Sequence, residues 1–257
     1  MARIIGIANQ KGGVGKSTTA VNLGACLSEK NKKVLLIDMD PQGHTTSGYG
    51  MEKNSYENTV YEVLIGECNI KEAIQKKVYG KVDIIPSNKN LAGAEIEMIT
   101  IPEREYVLKK GIEEVSKNYD FVLIDCPPSL NMLTINAMTA ADAILVPIQC
   151  EYLALEGLGD LMGTINLVKK SLNPGLDIEG VVFTMYDSRT KLSLEVVENV
   201  NQTLKGDIYR AIIPRNVRLS EAPSYGMPII EYDGKCAGAE GYRWLADEVI
   251  KNSRKRK

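Results

Sequence analysis

Short runs of apolar residues with no polar alternation recur along this chain, and they constrain its fold more than any other feature. They are RIIGIA from Arg3, VLLID from Val34, VDIIP from Val82, FVLID from Phe121, AILVPI from Ala143, GVVFTM from Gly180 and AIIP from Ala211. A strand with one wetted face alternates apolar and polar residues, so unbroken runs predict strands covered on both faces, as in a parallel sheet. Helix-length segments lie between them at 16–30, 103–117, 153–171 and 192–204, with a last one at 237–251. This order predicts an α/β, doubly wound, mostly parallel sheet with helices on both faces. The 257 residues show no internal repeat or linker, so a single domain over 1–257 is expected. Its basic end, KNSRKRK at 251–257, is expected to fray.

Composition excludes several classes of function. The formal net charge is -2, so there is no global basic field, and any nucleic-acid binding would need a local patch. The five cysteines form no C-x-x-C pair, which argues against a disulfide frame or a cysteine metal site. His44 is the one histidine and cannot build a zinc site alone. Residues 1–8 lack a basic-then-apolar leader, and no apolar run approaches the ~20 residues that span a bilayer. A cytoplasmic protein is expected.

The first apolar run leads into NQKGGVGKST and then into a helical segment. Strand, glycine-rich loop and helix in that order are the context of a phosphate loop. Gly12, Gly13 and Gly15 permit tight turns that aim backbone N–H groups at phosphate oxygens, with Val14 between them. Lys16 would reach the β- and γ-phosphates, and the Ser17 hydroxyl would ligate Mg²⁺, with Thr18 following in the helix's first turn. The loop departs from G-x-x-x-x-G-K-[ST] in having Gln10 at the first glycine. It also carries a second lysine, Lys11. In one subunit this ammonium would repel Lys16 whenever the site is empty. It is either a solvated loop residue or a cation supplied to another subunit's nucleotide, as arginine fingers are.

Two apolar runs end in carboxylates. LLIDMDPQG places Asp38 and Asp40 at the end of the second, and FVLIDCPPS places Asp125 at the end of the fourth. The carboxyl edge of an open α/β sheet is where ligands sit. Of Asp38 and Asp40, one could support Mg²⁺ or Lys16 and the other could position the attacking water. Asp125 has the setting of a Walker B carboxylate, reaching the metal through water, and Pro127 and Pro128 would stiffen the loop after it.

KGGVGKST resembles the deviant Walker A motif of the P-loop ATPase family that holds the ParA/Soj partition proteins, MinD and the nitrogenase iron protein. In DMDPQGHTTSG, DCPPSLNMLTINAM, VPIQCEYLALEGL, FTMYDSRTKLS and IPRNVRLSEAPSYGMPI the chain resembles ParA/Soj segments over nearly its whole length. The resemblance implies ATP and Mg²⁺ as cofactors, and catalytic roles for Lys11, Lys16 and Asp40. Lys11 would cross the interface of an ATP sandwich dimer, and Asp40 would serve hydrolysis. It places Gln149 and Glu151 near the nucleotide or dimer interface, and puts Pro214, Arg215 and Asn216 beside the adenine. His44 departs from the asparagine usual after DPQG in that family.

Within the family three readings compete. A DNA-partition ATPase would bind double-stranded DNA non-specifically as a homodimer and release it when a ParB-type partner stimulates hydrolysis. The resemblance assigns DNA contacts to Arg189 and Arg218, and Lys191 and Arg215 lie close to them in sequence. Residues 187–218 carry six cations (those four with Lys205 and Arg210) against Asp187, Glu195, Glu198 and Asp207. That surplus is modest in one chain and doubled in a dimer. A MinD-like membrane-cycling ATPase would need an amphipathic C-terminal helix, whereas Trp244, Leu245, Val249 and Ile250 are expected to dock on the core. A metabolic relative carrying an iron–sulfur cluster would need suitably placed cysteines.

Overall fold

The computed structural model describes residues 1–151, 154–203 and 208–255. Each apolar run becomes a strand of one eight-stranded sheet. The strands are β1 (Arg3–Ile7), β2 (Val34–Asp38), β3 (Gln75–Tyr79), β4 (Val82–Ile85), β5 (Phe121–Asp125), β6 (Ala143–Gln149), β7 (Asp177–Tyr186) and β8 (Ile208–Pro214). Their order is β3-β4-β2-β5-β1-β6-β7-β8, and every pairing is parallel except β3 with β4. β3 is the strand that the apolar runs did not reveal. Its QKKVY sequence is largely polar, as suits an edge strand with solvent beside it.

The helices in chain order begin with α1 (Lys16–Glu29), α2 (His44–Gly48), α3 (Val60–Ile65), α4 (Ile70–Ala73), α5 (Leu91–Glu97) and α6 (Val107–Val115). They continue with α7 (Met132–Ala140), α8 (Ala154–Ser171), α9 (Lys191–Thr203), α10 (Val217–Glu221), α11 (Ile229–Tyr232) and α12 (Ala237–Lys255). They cover both faces. Along β2, Leu35 and Ile37 pack into one apolar layer with Leu64, Ile112, Leu133 and Leu161. Val34 and Leu36 pack into the other with Leu23, Leu27, Tyr242 and Leu245. Successive side chains point to opposite faces, so a strand covered on both must be apolar throughout.

The C-terminal segment departs from expectation in two ways. α12 continues to Lys255, beyond the expected helix end at 251, while 256–257 lie outside the described residues. Leu245 and Val249 are fully buried and Ile250 packs against the same layer, but Trp244 is 61% exposed and does not dock. It stands next to the buried stripe rather than in it, since adjacent helical positions face different ways. Among the described residues no helix is long and apolar enough to cross a membrane.

Candidate nucleotide site

β1 lies between β5 and β6: the crossover through α1 carries the chain from β1 to β2 on one side, and the crossover through α7 carries it from β5 past β1 to β6 on the other. This switch point opens a crevice at the carboxyl ends of the strands. The glycine-rich loop sits there. Gly13 and Gly15 hold φ of 75° and 88°, a left-handed backbone that side-chain-bearing residues avoid, and Gly15 caps α1. The turn aims the first N–H groups of α1 into a cleft of about 430 Å³ walled by Gly12, Gly13, Gly15, Lys16, Ser17 and Thr18 from one side. Asp40, Gln42, His44 and Pro128 wall it from the other. Val14 is buried, and its carbonyl accepts a hydrogen bond from the Thr184 hydroxyl at 2.8 Å, tying the loop to β7. A second cavity of about 460 Å³ adjoins at Gly15, Thr18, Met185 and Pro223. Its walls include Ile213, Pro214, Arg215, Asn216, Val217, Leu219 and Tyr242, so the cleft at the glycine-rich loop continues into a second chamber of similar size with largely apolar walls.

The two loop lysines are placed differently. Lys16 is buried, and its ammonium donates to the Lys11 carbonyl at 3.0 Å. Burial lowers its pKa, and the opposing charges of Asp125 and Asp40 partly restore it. Lys11 is absent from the cleft wall. Its ammonium reaches the Glu151 carboxylate at 2.6 Å, whose other oxygen accepts from Gln149 Nε2. Asn9 fixes the loop's entry, donating to the Pro147 carbonyl at 2.8 Å and accepting from the Lys11 N–H at 3.0 Å.

Asp38 and Asp125 face each other across β2 and β5, both fully buried. Desolvation, then the charge of Asp38, pushes Asp125 up to about 7, while Ser17 and Thr45 favour its charged form. Thr45 donates to Asp125 Oδ2 at 2.8 Å, while Asp125 Oδ1 has no hydrogen-bond partner among the described residues. A buried, orphaned carboxylate oxygen beside Ser17 fits a hard cation. Asp38 is differently occupied: Oδ2 accepts the Thr46 N–H at 2.8 Å and its hydroxyl at 2.7 Å, and Oδ1 accepts the Asp40 N–H. Asp38 therefore anchors α2, and Asp125 is the better candidate ligand. Among the described residues no group of three or more His, Cys, Asp or Glu side chains forms a metal cage. Asp40 keeps its side chain on the cleft, with Oδ1 accepting the Gln42 N–H at 2.9 Å.

Thr45, Thr46 and Asn9 were not singled out from sequence, although HTTSG directly follows the carboxylate motif. His44 is exposed on the cleft rim. Of the expected DNA-contacting residues, Arg189 follows β7 and Arg218 lies on α10, near the carboxyl end of the sheet. Arg189 is 85% exposed and pairs with Asp187, while Arg218 pairs with Glu221 at 3.0 Å and Asp233 at 3.5 Å. Lys191 opens α9, and Arg215 walls the second cavity. Lys205 and Asp207 lie outside the described residues.

Residues 2–178 match the family model described as an AAA domain. Over 98% of its length the chain is 53% identical to the sporulation initiation inhibitor protein Soj of Bacillus subtilis, covering all of that protein. It is 52% identical to the chromosome partitioning protein ParA of Caulobacter vibrioides, over 99% of this chain and 96% of that one. The chain belongs to the Soj/ParA family of chromosome-partitioning ATPases. Solved structures agree on the fold. The cell-division ATPase MinD of Pyrococcus furiosus superposes with a TM-score of 0.80 at 28% identity, over 98% of this chain and 99% of that one. A cobyrinic acid a,c-diamide synthase of Mycobacterium smegmatis, crystallised with an ATP analogue and magnesium, gives 0.88 at 36%, covering 100% and 98%. The fold is thus shared by metabolic and partitioning proteins, and the much higher identity to Soj and ParA decides the family.

Proposed function

We infer that this Soj/ParA-family chain is an ATPase that uses Mg-ATP to dimerise, bind DNA non-specifically and drive partition. The observation that carries this reading is the division of labour between the lysines: Lys16 walls the cleft and Lys11 does not. A lysine at the rim, held by the surface carboxylate of Glu151, is available to a nucleotide in a facing subunit. Lys16 and the loop N–H groups hold the β- and γ-phosphates, and the mostly apolar second cavity takes the base beside Pro214, Arg215 and Asn216. Bound Mg²⁺, held by Ser17 and through water by Asp125, would neutralise charge on the phosphates. Asp40 orients the attacking water, and Lys11 from the partner stabilises charge on the transferring phosphoryl group. Pro127, Pro128, Gln149 and Glu151 border the switch and the dimer face.

DNA binding rests on Arg189 and Arg218, with Lys191 and Arg215 beside them. The carboxylates now paired with both arginines keep a single chain weakly cationic, and dimerisation doubles the contacts at high local concentration. A ParB-type partner stimulates hydrolysis and release, with the protein in the cytoplasm on the nucleoid. Co-sedimentation with duplex DNA and with anionic liposomes, under ADP and under a slowly hydrolysed ATP analogue, tests this. DNA binding only with the analogue is expected, and the slope of log K against log salt should become shallower by roughly 0.9 per lost phosphate contact in Arg189→Ala or Arg218→Ala. Analogue-dependent liposome binding without DNA binding would instead favour the membrane-cycling reading, which exposed Trp244 and the basic end of the chain would serve.

A further inference from the structure

At the opposite end of the sheet, where β2, β4 and β5 begin, a cavity of about 370 Å³ is lined by Lys33, Lys76, Lys77, Lys81, Asp83 and Tyr119. Four lysines converge there in a chain of net charge -2. The nearby carboxylates do not neutralise the space. Asp83 Oδ1 accepts the Lys77 N–H at 2.7 Å, and its Oδ2 accepts the Tyr119 hydroxyl at 2.6 Å and the Lys76 ammonium at 3.1 Å. Asp120 Oδ2 accepts the Lys33 N–H at 2.9 Å. Among the described residues no hydrogen bond or ion pair engages the ammonium of Lys33 or Lys77, and that of Lys81 meets only the neutral Asn31 side chain.

Lysines on an edge strand guard it against pairing with another sheet. That accounts for Lys76 and Lys77 on β3. It does not account for Lys33, which precedes a central strand, or Lys81, in the turn between β3 and β4. Nor does it explain why Lys77 holds φ of 53°, a left-handed conformation unfavourable for a side-chain-bearing residue. Asp83 fixes that conformation through the Lys77 N–H, within an irregular stretch of the β3–β4 ladder. The same carboxylate thus holds Lys76 by its side chain and Lys77 by its backbone at one cavity.

We propose that this lysine-lined cavity is a binding site for multiply charged phosphate groups, separate from the nucleotide cleft. Several ammonium groups around a small cavity suit an anion with several charges, and the phosphates of a free polyphosphate or of a nucleic-acid backbone share that chemistry. Tripolyphosphate is the probe, titrated calorimetrically into the whole protein with the nucleotide cleft saturated by ADP and magnesium in excess over both. One binding event per chain is expected. It weakens at least tenfold in Lys33→Gln/Lys77→Gln and is retained in Lys33→Arg/Lys77→Arg, which keeps the charge. Both replaced positions, Lys33 and Lys77, are exposed, so circular dichroism should show both variants folded. No binding to the wild type, or equal affinity in the glutamine variant, overturns the site. A short duplex under the same ADP conditions separates the sources. Duplex binding that falls in the glutamine variant along with tripolyphosphate binding assigns the site to a nucleic-acid backbone. A loss confined to tripolyphosphate assigns it to free polyphosphates. Because ADP fills the cleft throughout, failure here leaves the ATPase reading standing.

Discussion

At the scale of single residues, the two loop lysines make opposite predictions. Lys16 is buried in the cleft wall, where the proposed function puts the β- and γ-phosphates. Lys16→Ala should weaken ATP binding by roughly 100-fold or more, the scale set by losing a charge-assisted contact in a partly desolvated site. Calorimetry with the ATP analogue checks this, and near-normal affinity would sink the phosphate-loop assignment. Lys11 and Glu151 are 35% and 44% exposed, so their ion pair contributes under about 1 kcal/mol to the fold. Lys11→Ala should therefore unfold normally and bind ATP in one subunit, yet lose ATP-dependent dimerisation and turnover. Light scattering decides it: an unchanged dimer with unchanged turnover makes Lys11 a solvated residue.

At the scale of elements, α2 is five residues long and cannot be stable by itself. Its two threonines tie it to the strand ends, Thr45 to Asp125 and Thr46 to Asp38, and the Thr46 hydroxyl also accepts the Ser87 N–H at 3.0 Å. Thr46→Val keeps the shape but strands that buried N–H and removes one donor to Asp38. It should destabilise the protein by about 1–3 kcal/mol, and hydrolysis should fall more than nucleotide affinity. Urea unfolding beside turnover measurements tests both parts. The element scale also shows what the sequence made legible. Strands covered on both faces announce themselves as unbroken apolar runs, and each such run is a strand. α7, MLTINAMTA, escaped because it is buried on most sides and lacks a 3.6-residue stripe. β3 escaped because an edge strand need not be apolar. The phosphate loop and the two strand-end carboxylate motifs were readable from spacing. The Thr45 and Thr46 anchors and the Lys11–Glu151 pair were not, since they depend on which loops meet across the sheet edge.

At the scale of the whole molecule, the carboxylate pair at the cleft couples folding to pH. Asp125 titrates near 7 in the folded chain, because it is buried beside Asp38, against ~3.9 when unfolded. Between those values the folded state holds a proton that the unfolded state has lost. Stability is then fully present below the unfolded value and declines as pH rises through the folded one. From pH 6 to pH 8 the nucleotide-free protein should lose about 1–2 kcal/mol from this group. Asp125→Asn carries no titrating carboxyl there, so the difference between wild type and variant reports the Asp38–Asp125 pair, whose other member is itself raised to about 6 by burial, and separates it from Lys16, whose own pKa is lowered. Unfolding midpoints at the two pH values should diverge in wild type and draw together in Asp125→Asn, with the variant the more stable at pH 8. The same substitution removes the orphaned oxygen offered to a cation, so it should also reduce the stabilisation that magnesium adds to bound nucleotide. A gain of stability at pH 8 joined to a loss of magnesium response would identify Asp125 as a group whose unfavourable burial is maintained for the ligand; parallel pH curves would show that its charge is already satisfied within the fold.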